Sequence, residues 1–141
     1  MSRRDTYHET VKRALVKDGW TISHDPLRIT YEGTIVSTDL GAEKATIAEG
    51  QQIAVEIIAV EVKDLDSESV ISEFEKALGQ YRLYRALLKR TDPGRIIFLA
   101  VRKSVYDEFF QRPAIQVVIG DDEVRLLIFD EFSEEIVLWT K

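Results

Sequence analysis

No cysteine occurs in the chain, so disulfides and thiolate zinc sites are excluded and a reducing compartment is expected. Long apolar runs are missing too. The longest, such as "IIFLAV" at 96–101, are far too short to span a bilayer. Two arginines near the start, in "MSRRDTYHE", have no apolar segment behind them, so no signal peptide is expected and the cytoplasm is the expected location. There is no glycine-rich phosphate loop and no Ser-His-Asp set, which argues against P-loop nucleotide hydrolysis and serine hydrolysis. With only His8 and His24, a two-histidine metal site is not expected. Basic charge is also in deficit: 19 Lys and Arg against 25 Asp and Glu give a net charge of −6, the wrong sign for a general nucleic-acid coat.

What is present reads as one α/β domain over residues 1–141, with no linker and no low-complexity tract. Thr6 and Glu9 have the spacing of a capping box, followed by the helical stripe Tyr7, Val11, Ala14 and Leu15, which Asp18-Gly19 ends. "WTISH", "LRITY" and "TIVSTDL" alternate as strands, with turns at Asp25-Pro26 and Glu32-Gly33. The run "IAVEIIAVEVK" at 53–63 suits a central strand covered on both faces. Val70, Phe74, Ala77, Tyr81, Tyr84 and Leu88 recur at helical spacing, and Thr91-Asp92-Pro93-Gly94 stops them. Strand "RIIFLAV", a short helix around "SVYDEFF", strands "AIQVVI" and "VRLLIF" about a turn at "GDDE", and a last strand "EIVLW" complete the reading.

Charge is unevenly placed. Arg82, Arg85, Lys89, Arg90, Arg95, Arg102 and Lys103 stand against the single acid Asp92. A solvated helix face and a phosphate-facing patch are both open for that stretch.

Three features line up for chemistry. Asp39 ends a strand, Glu61-Val62-Lys63 ends the presumed central strand, and Gln80 and Tyr84 lie four apart on one helix face. Alternation along a strand points Glu61 and Lys63 the same way. Asp39 and Glu61 would supply hard oxygens for Mg²⁺, and the lysine could orient an attacking water and offset charge on a phosphate. Without a cation, two carboxylates ~4 Å apart repel by about 4 kcal/mol at an effective dielectric of 20. Taken alone, acid followed by Glu-x-Lys is a weak signal, since a salt-bridged strand end has the same composition.

The Gln-x-x-x-Tyr pair strengthens it. Acid, acid-x-Lys and Gln-x-x-x-Tyr in this order resemble the PD-(D/E)XK nuclease superfamily, its RecB-like branch in particular. A closer resemblance covers almost the whole chain. "DTYHETVKRALVKDGWTISHDPLRI", "DLGAEK", "IAVEVK", "EFEKALGQY" and "FFQRPAIQ" are similar to the XisH family, the fdxN-element excision controlling factors of cyanobacteria. That resemblance implies a restriction-endonuclease-like fold, a central mixed sheet flanked by helices. It also implies a role in programmed excision of a DNA element, beside a site-specific recombinase and a XisI-like companion. Asp39 and Glu61 would then be the Mg²⁺ or Mn²⁺ ligands, with Lys63, Gln80 and Tyr84 in the same catalytic site and DNA as the partner. A catalytically inactive regulatory subunit remains the alternative, and the resemblance leaves room for a homo-oligomer.

One departure stands out. Family members usually read a single "IAVE-x-K", whereas here Ile53–Ile57 and Ile58–Val62 nearly repeat. The first copy looks like a five-residue insertion. Because five is odd, Glu56 would face opposite to Glu61 in an unbroken strand. Eleven residues would also span about 36 Å, so a bulge or an overhang is expected in the first copy. A rival register slides the strand by five, placing Glu56 beside Asp39 and Ile58 where the lysine belongs; the continuous match from Glu61 onward favours the second copy. Among the rest, His8 could lean over the cleft, and Glu9 reads as a cap that could also join the site. His24 and Lys44 read as turn residues, the acids 121–123 as a solvated hairpin turn, and Trp20 and Trp139 as core or interface aromatics.

Overall fold

In the computed structural model, which describes residues 6–66 and 68–140, four helices pack on a mixed sheet. The N-terminal arginines of the signal-peptide reading lie outside those residues. The elements run α1 (His8–Lys17), β1 (Thr21–His24), β2 (Leu27–Tyr31), β3 (Thr34–Thr38), β4 (Leu40–Ala48), β5 (Gln51–Val62), α2 (Val70–Thr91), β6 (Arg95–Arg102), α3 (Lys103–Glu108), α4 (Pro113–Asp121), β7 (Leu126–Asp130) and β8 (Glu135–Trp139). Six strands lie in the order β1-β4-β5-β6-β7-β8, and β2 with β3 forms a separate hairpin. The contacts β5 to β6 and β6 to β7 are parallel, while the outer ones are antiparallel.

Each sheet face has its own core. On one side Val11 and Leu15 of α1 cover Ile58, Val60, Val62, Ala100, Leu127 and Phe129. On the other, the stripe Phe74, Ala77, Tyr81, Tyr84 and Leu88 of α2 packs on Ala59, Leu99 and Val101. Alternation along β5 therefore sends even-numbered residues toward α1 and odd-numbered ones toward α2. No helix among the described residues is long and apolar enough to cross a membrane.

Three local expectations fail. The first helix begins after Tyr7 with no side-chain capping bond, so the Thr6–Glu9 capping box does not form. The run "AIQVVI" is helix α4, not a strand. Pro113 at its first turn suits a helix start, and Ile115, Val118 and Ile119 reach the core at steps of three and four while Val117 is exposed. The acids 121–123 accordingly close α4 rather than a hairpin. Third, β5 is not covered throughout. Its residues 51–56 are exposed, and only 58–62 are buried on both faces.

The doubled stretch behaves as its length requires. β5 pairs with β6 only from Ile57 to Val62, and β4 pairs with β1 only at Gly41–Glu43. Beyond those points β4 and β5 continue as a two-stranded ribbon. The register skips Ile53, between Thr46 opposite Ala54 and Ile47 opposite Gln52. Both the overhang and the bulge are present. The second copy is the buried one.

Candidate functional site

Asp39 sits in the link between β3 and β4, directly beyond the pair Leu40–Val60, so it faces the end of β5. Its carboxylate accepts the Val62 N–H at 2.7 Å, and its own N–H donates to Glu61 Oε1 at 3.2 Å. Each acid is thus held by the backbone that carries the other. Strand pairing continues one residue past β5, where Lys63 N–H donates to the Ala100 carbonyl. The Lys63 ammonium lies 3.4 Å from Glu61 Oε2, on the same face as alternation demands.

This is a costly place for charge. Burial foremost, and then the negative charge of Asp39, pushes the Glu61 carboxyl up to about 8 despite the opposing pull of Lys63. Tyr84 is raised above its ordinary value by burial and then by the charges of Glu61 and Asp39. Gln80 lies one turn earlier on that helix face, and its buried Oε1 finds no hydrogen-bond partner among the described residues.

Glu56 is elsewhere. It pairs across the ribbon with Lys44, points to the α1 side and is exposed. Five residues of strand put it about 16 Å from Glu61.

A second group adjoins the first. His8 is 3% exposed, with Nε2 at 2.8 Å from Asp25 Oδ1 and Nδ1 at 3.6 Å from Asp39 Oδ1. Lys12 holds the other Asp25 oxygen at 2.7 Å. Burial alone would raise Asp25, but the hydrogen bonds from Lys12 and His8 outweigh it and keep its pKa below the ordinary carboxylate value. His8, Glu9 and Asp25 bring one potential ligand atom each within 4.8 Å of the others, a cluster that could hold a metal ion. Asp25 and Lys12 are absent from the sequence-based site. The one cue was His8 itself, a polar residue on the apolar α1 stripe with Val11 and Leu15, and it gave no partner.

Both donor sets suit a hard divalent cation. Asp39 and Glu61 supply two carboxylates whose mutual repulsion a cation would relieve, and Gln80 leaves a buried oxygen without a hydrogen-bond partner on α2, one turn before Tyr84. His8 joins the pair to the Glu9–Asp25 cluster.

The basic stretch is divided. Arg82, Arg85, Lys89 and Arg95 line a groove of about 320 Å³ between α2 and the start of β6, but Asp121, Asp122 and Glu123 line it as well. Arg102, at the other end of β6, bonds the Asp64 carbonyl, stacks over Tyr7 and lies near Asp66 and Glu131. Lys103 pairs with Asp107 at 2.6 Å. One continuous phosphate-facing patch over 82–103 does not form, because the stretch runs along a helix and then a strand to opposite ends of the sheet. Lys44 is a strand residue that bonds the Asp18 carbonyl at 2.7 Å, and Trp20 packs on Trp139 with ring centroids 5.6 Å apart.

Residues 1–137 match the family model described as "XisH protein". An XisH family protein from Nostoc punctiforme PCC 73102 is 42% identical, with 97% of this chain and all of that one covered and a TM-score of 0.84. An fdxN element excision controlling factor protein from Anabaena variabilis is 39% identical over 98% of this chain and all of its own, with a TM-score of 0.85. A search of the curated proteins finds no match.

Proposed function

The chain belongs to the XisH family, and from that premise we propose that it is a controlling factor for excision of a DNA element, built on a PD-(D/E)XK-type site that hydrolyses phosphodiesters. The observation that carries the hydrolytic reading is the reciprocal clamp of Asp39 and Glu61, with Lys63 3.4 Å from a carboxyl pushed up to about 8. Such a pair is unfavourable unless a proton or a cation shares it.

Asp39 and Glu61 would hold Mg²⁺ or Mn²⁺, which when bound supplies Lewis-acid polarisation and an activated water. Lys63 orients the attacking water and offsets charge on the phosphate as the P–O bond to the leaving strand breaks. Gln80 and Tyr84 would wall the carboxylates, and His8, bonded to Asp25 at 2.8 Å, would support Asp39 across 3.6 Å. Removing such a support from a metal ligand costs about 10–100-fold in affinity. His8→Ala is therefore expected to weaken Mn²⁺ binding about tenfold, read by titration calorimetry. Unchanged affinity would confine His8 to packing and its bond to Asp25.

A second reading has its own support. Net charge is −6 and the basic stretch is split, so the chain offers little cationic surface to DNA by itself. A regulatory subunit acting through a XisI-like companion and the recombinase would not need one. The deciding experiment is cleavage of supercoiled and branched DNA by the purified protein with Mn²⁺, beside Lys63→Ala, with and without the companion. Cutting that Lys63→Ala abolishes supports the hydrolytic reading. No cutting under any condition leaves the regulatory one.

A further inference from the structure

The ribbon formed by β4 and β5 beyond the body of the sheet has an unpaired edge. β5 has β4 on one side from Gln51 to Val60, but among the described residues no strand pairs with 51–56 on the side that β6 occupies from Ile57 onward. On a strand edge, alternate residues present both N–H and C=O outward, and such groups template pairing with another strand. The usual protections are sparse here. "QQIAVE" contains no proline and no lysine, and the devices present are the bulge at Ile53 and the single charge of Glu56. The ribbon is also apolar where it should be wet: Ile47, Ile53 and Val55 are 60%, 62% and 46% exposed. Ala45, Ile47 and Val55 share one of its faces. A two-stranded hairpin is marginal in water without something packed on it.

We infer that the β5 edge at residues 51–56 pairs antiparallel with the same edge of a second copy of this chain. The two ribbons then form a four-stranded sheet in the order β4-β5-β5-β4 about a two-fold axis. The edge is compatible with a second copy of itself, because its one charge need not meet its own counterpart. With Ala54 facing its own counterpart on the axis, Ile53 faces Val55 and Gln52 faces Glu56. Between residues 52 and 56 every apolar side chain then meets an apolar one, and each carboxylate meets a neutral amide rather than the other carboxylate. Centring the pair on Glu56 instead would oppose like charges. Such a contact is isologous, the commonest kind in homodimers. The inserted copy of the repeat supplies its central residues 53–56, which gives the duplication a use the site at Glu61 does not. The contact stands whether or not DNA is cut.

The absence of native cysteine makes the test clean. Sedimentation from about 1 to 100 μM is expected to show a dimer in the unaltered protein. Val55→Lys should be monomeric with unchanged circular dichroism and melting, because Val55 lies outside both cores. Ala54→Cys should form a disulfide-linked dimer at least about tenfold faster than the exposed helix control Val117→Cys, since facing strand residues fall within disulfide reach. A monomer across the range would assign the edge to an unlike chain and overturn the inference. So would a dimer that survives Val55→Lys, or an Ala54→Cys linkage no faster than the control.

Discussion

Glu61→Gln is expected to remove metal-dependent DNA cleavage by at least about 100-fold, whereas Glu56→Gln leaves the rate within about twofold. The two residues stand fourth in near-identical five-residue units, so the contrast isolates position from sequence context. Glu61 is clamped to the Asp39 backbone and approached by Lys63, while Glu56 is exposed on the opposite side of the strand and faces Lys44. A glutamine at 61 keeps the shape and loses the charge that would hold the cation. Plasmid nicking at fixed Mn²⁺ reads the effect. Equal loss in both variants would mean that the strand shifts register when metal or DNA binds.

The second large effect is on stability against pH in the metal-free protein. The folded-state pKa of Glu61, about 8, exceeds its ordinary value of 4.5. Between those values the folded chain keeps a proton that the unfolded chain releases, so stability falls as pH rises. The contribution is full below about 4.5 and gone above about 8. Linkage puts it on the order of 5 kcal/mol, and Glu61→Gln, which cannot ionise, abolishes it. Urea unfolding at pH 5.5, 7 and 8.5 should therefore show the variant gaining on the parent protein steadily. Titrations outside the Asp39–Glu61–Lys63 group, such as that of the depressed Asp25, are common to both and cancel in the difference. Parallel curves would mean that the Glu61 carboxyl is not buried as described. Cation binding must displace the same proton, so Mn²⁺ affinity should rise with pH up to about 8 and then level off.

Much of this protein was legible one element at a time. The α2 stripe, its stop at Thr91–Gly94 and the strands around Asp25-Pro26 follow from periodicity and turn chemistry, which record local backbone energetics. Helix α4 was misread because "AIQVVI" is β-branched, although Pro113 and the 115-118-119 spacing carried the helical signal. Tertiary packing tipped that balance, since only the helix buries Ile115, Val118 and Ile119 together while Val117 faces solvent.

By itself the sequence determined the order Asp39, Glu61-x-Lys63, Gln80-x-x-x-Tyr84, the family, and the parity that separates Glu56 from Glu61. Parity is a property of any extended chain and needs no partner. Tertiary structure alone decided where β5 ends its cover, because that depends on where β6 and β1 stop. It alone brought His8, Lys12 and Asp25 together beside Asp39, the first two reaching Asp25 over sequence separations of 17 and 13. It also parted the seven bases of 82–103. Spacing along a chain fixes which residues share an element face. Distance between elements is fixed only when loops close and cores pack, and no local pattern records it.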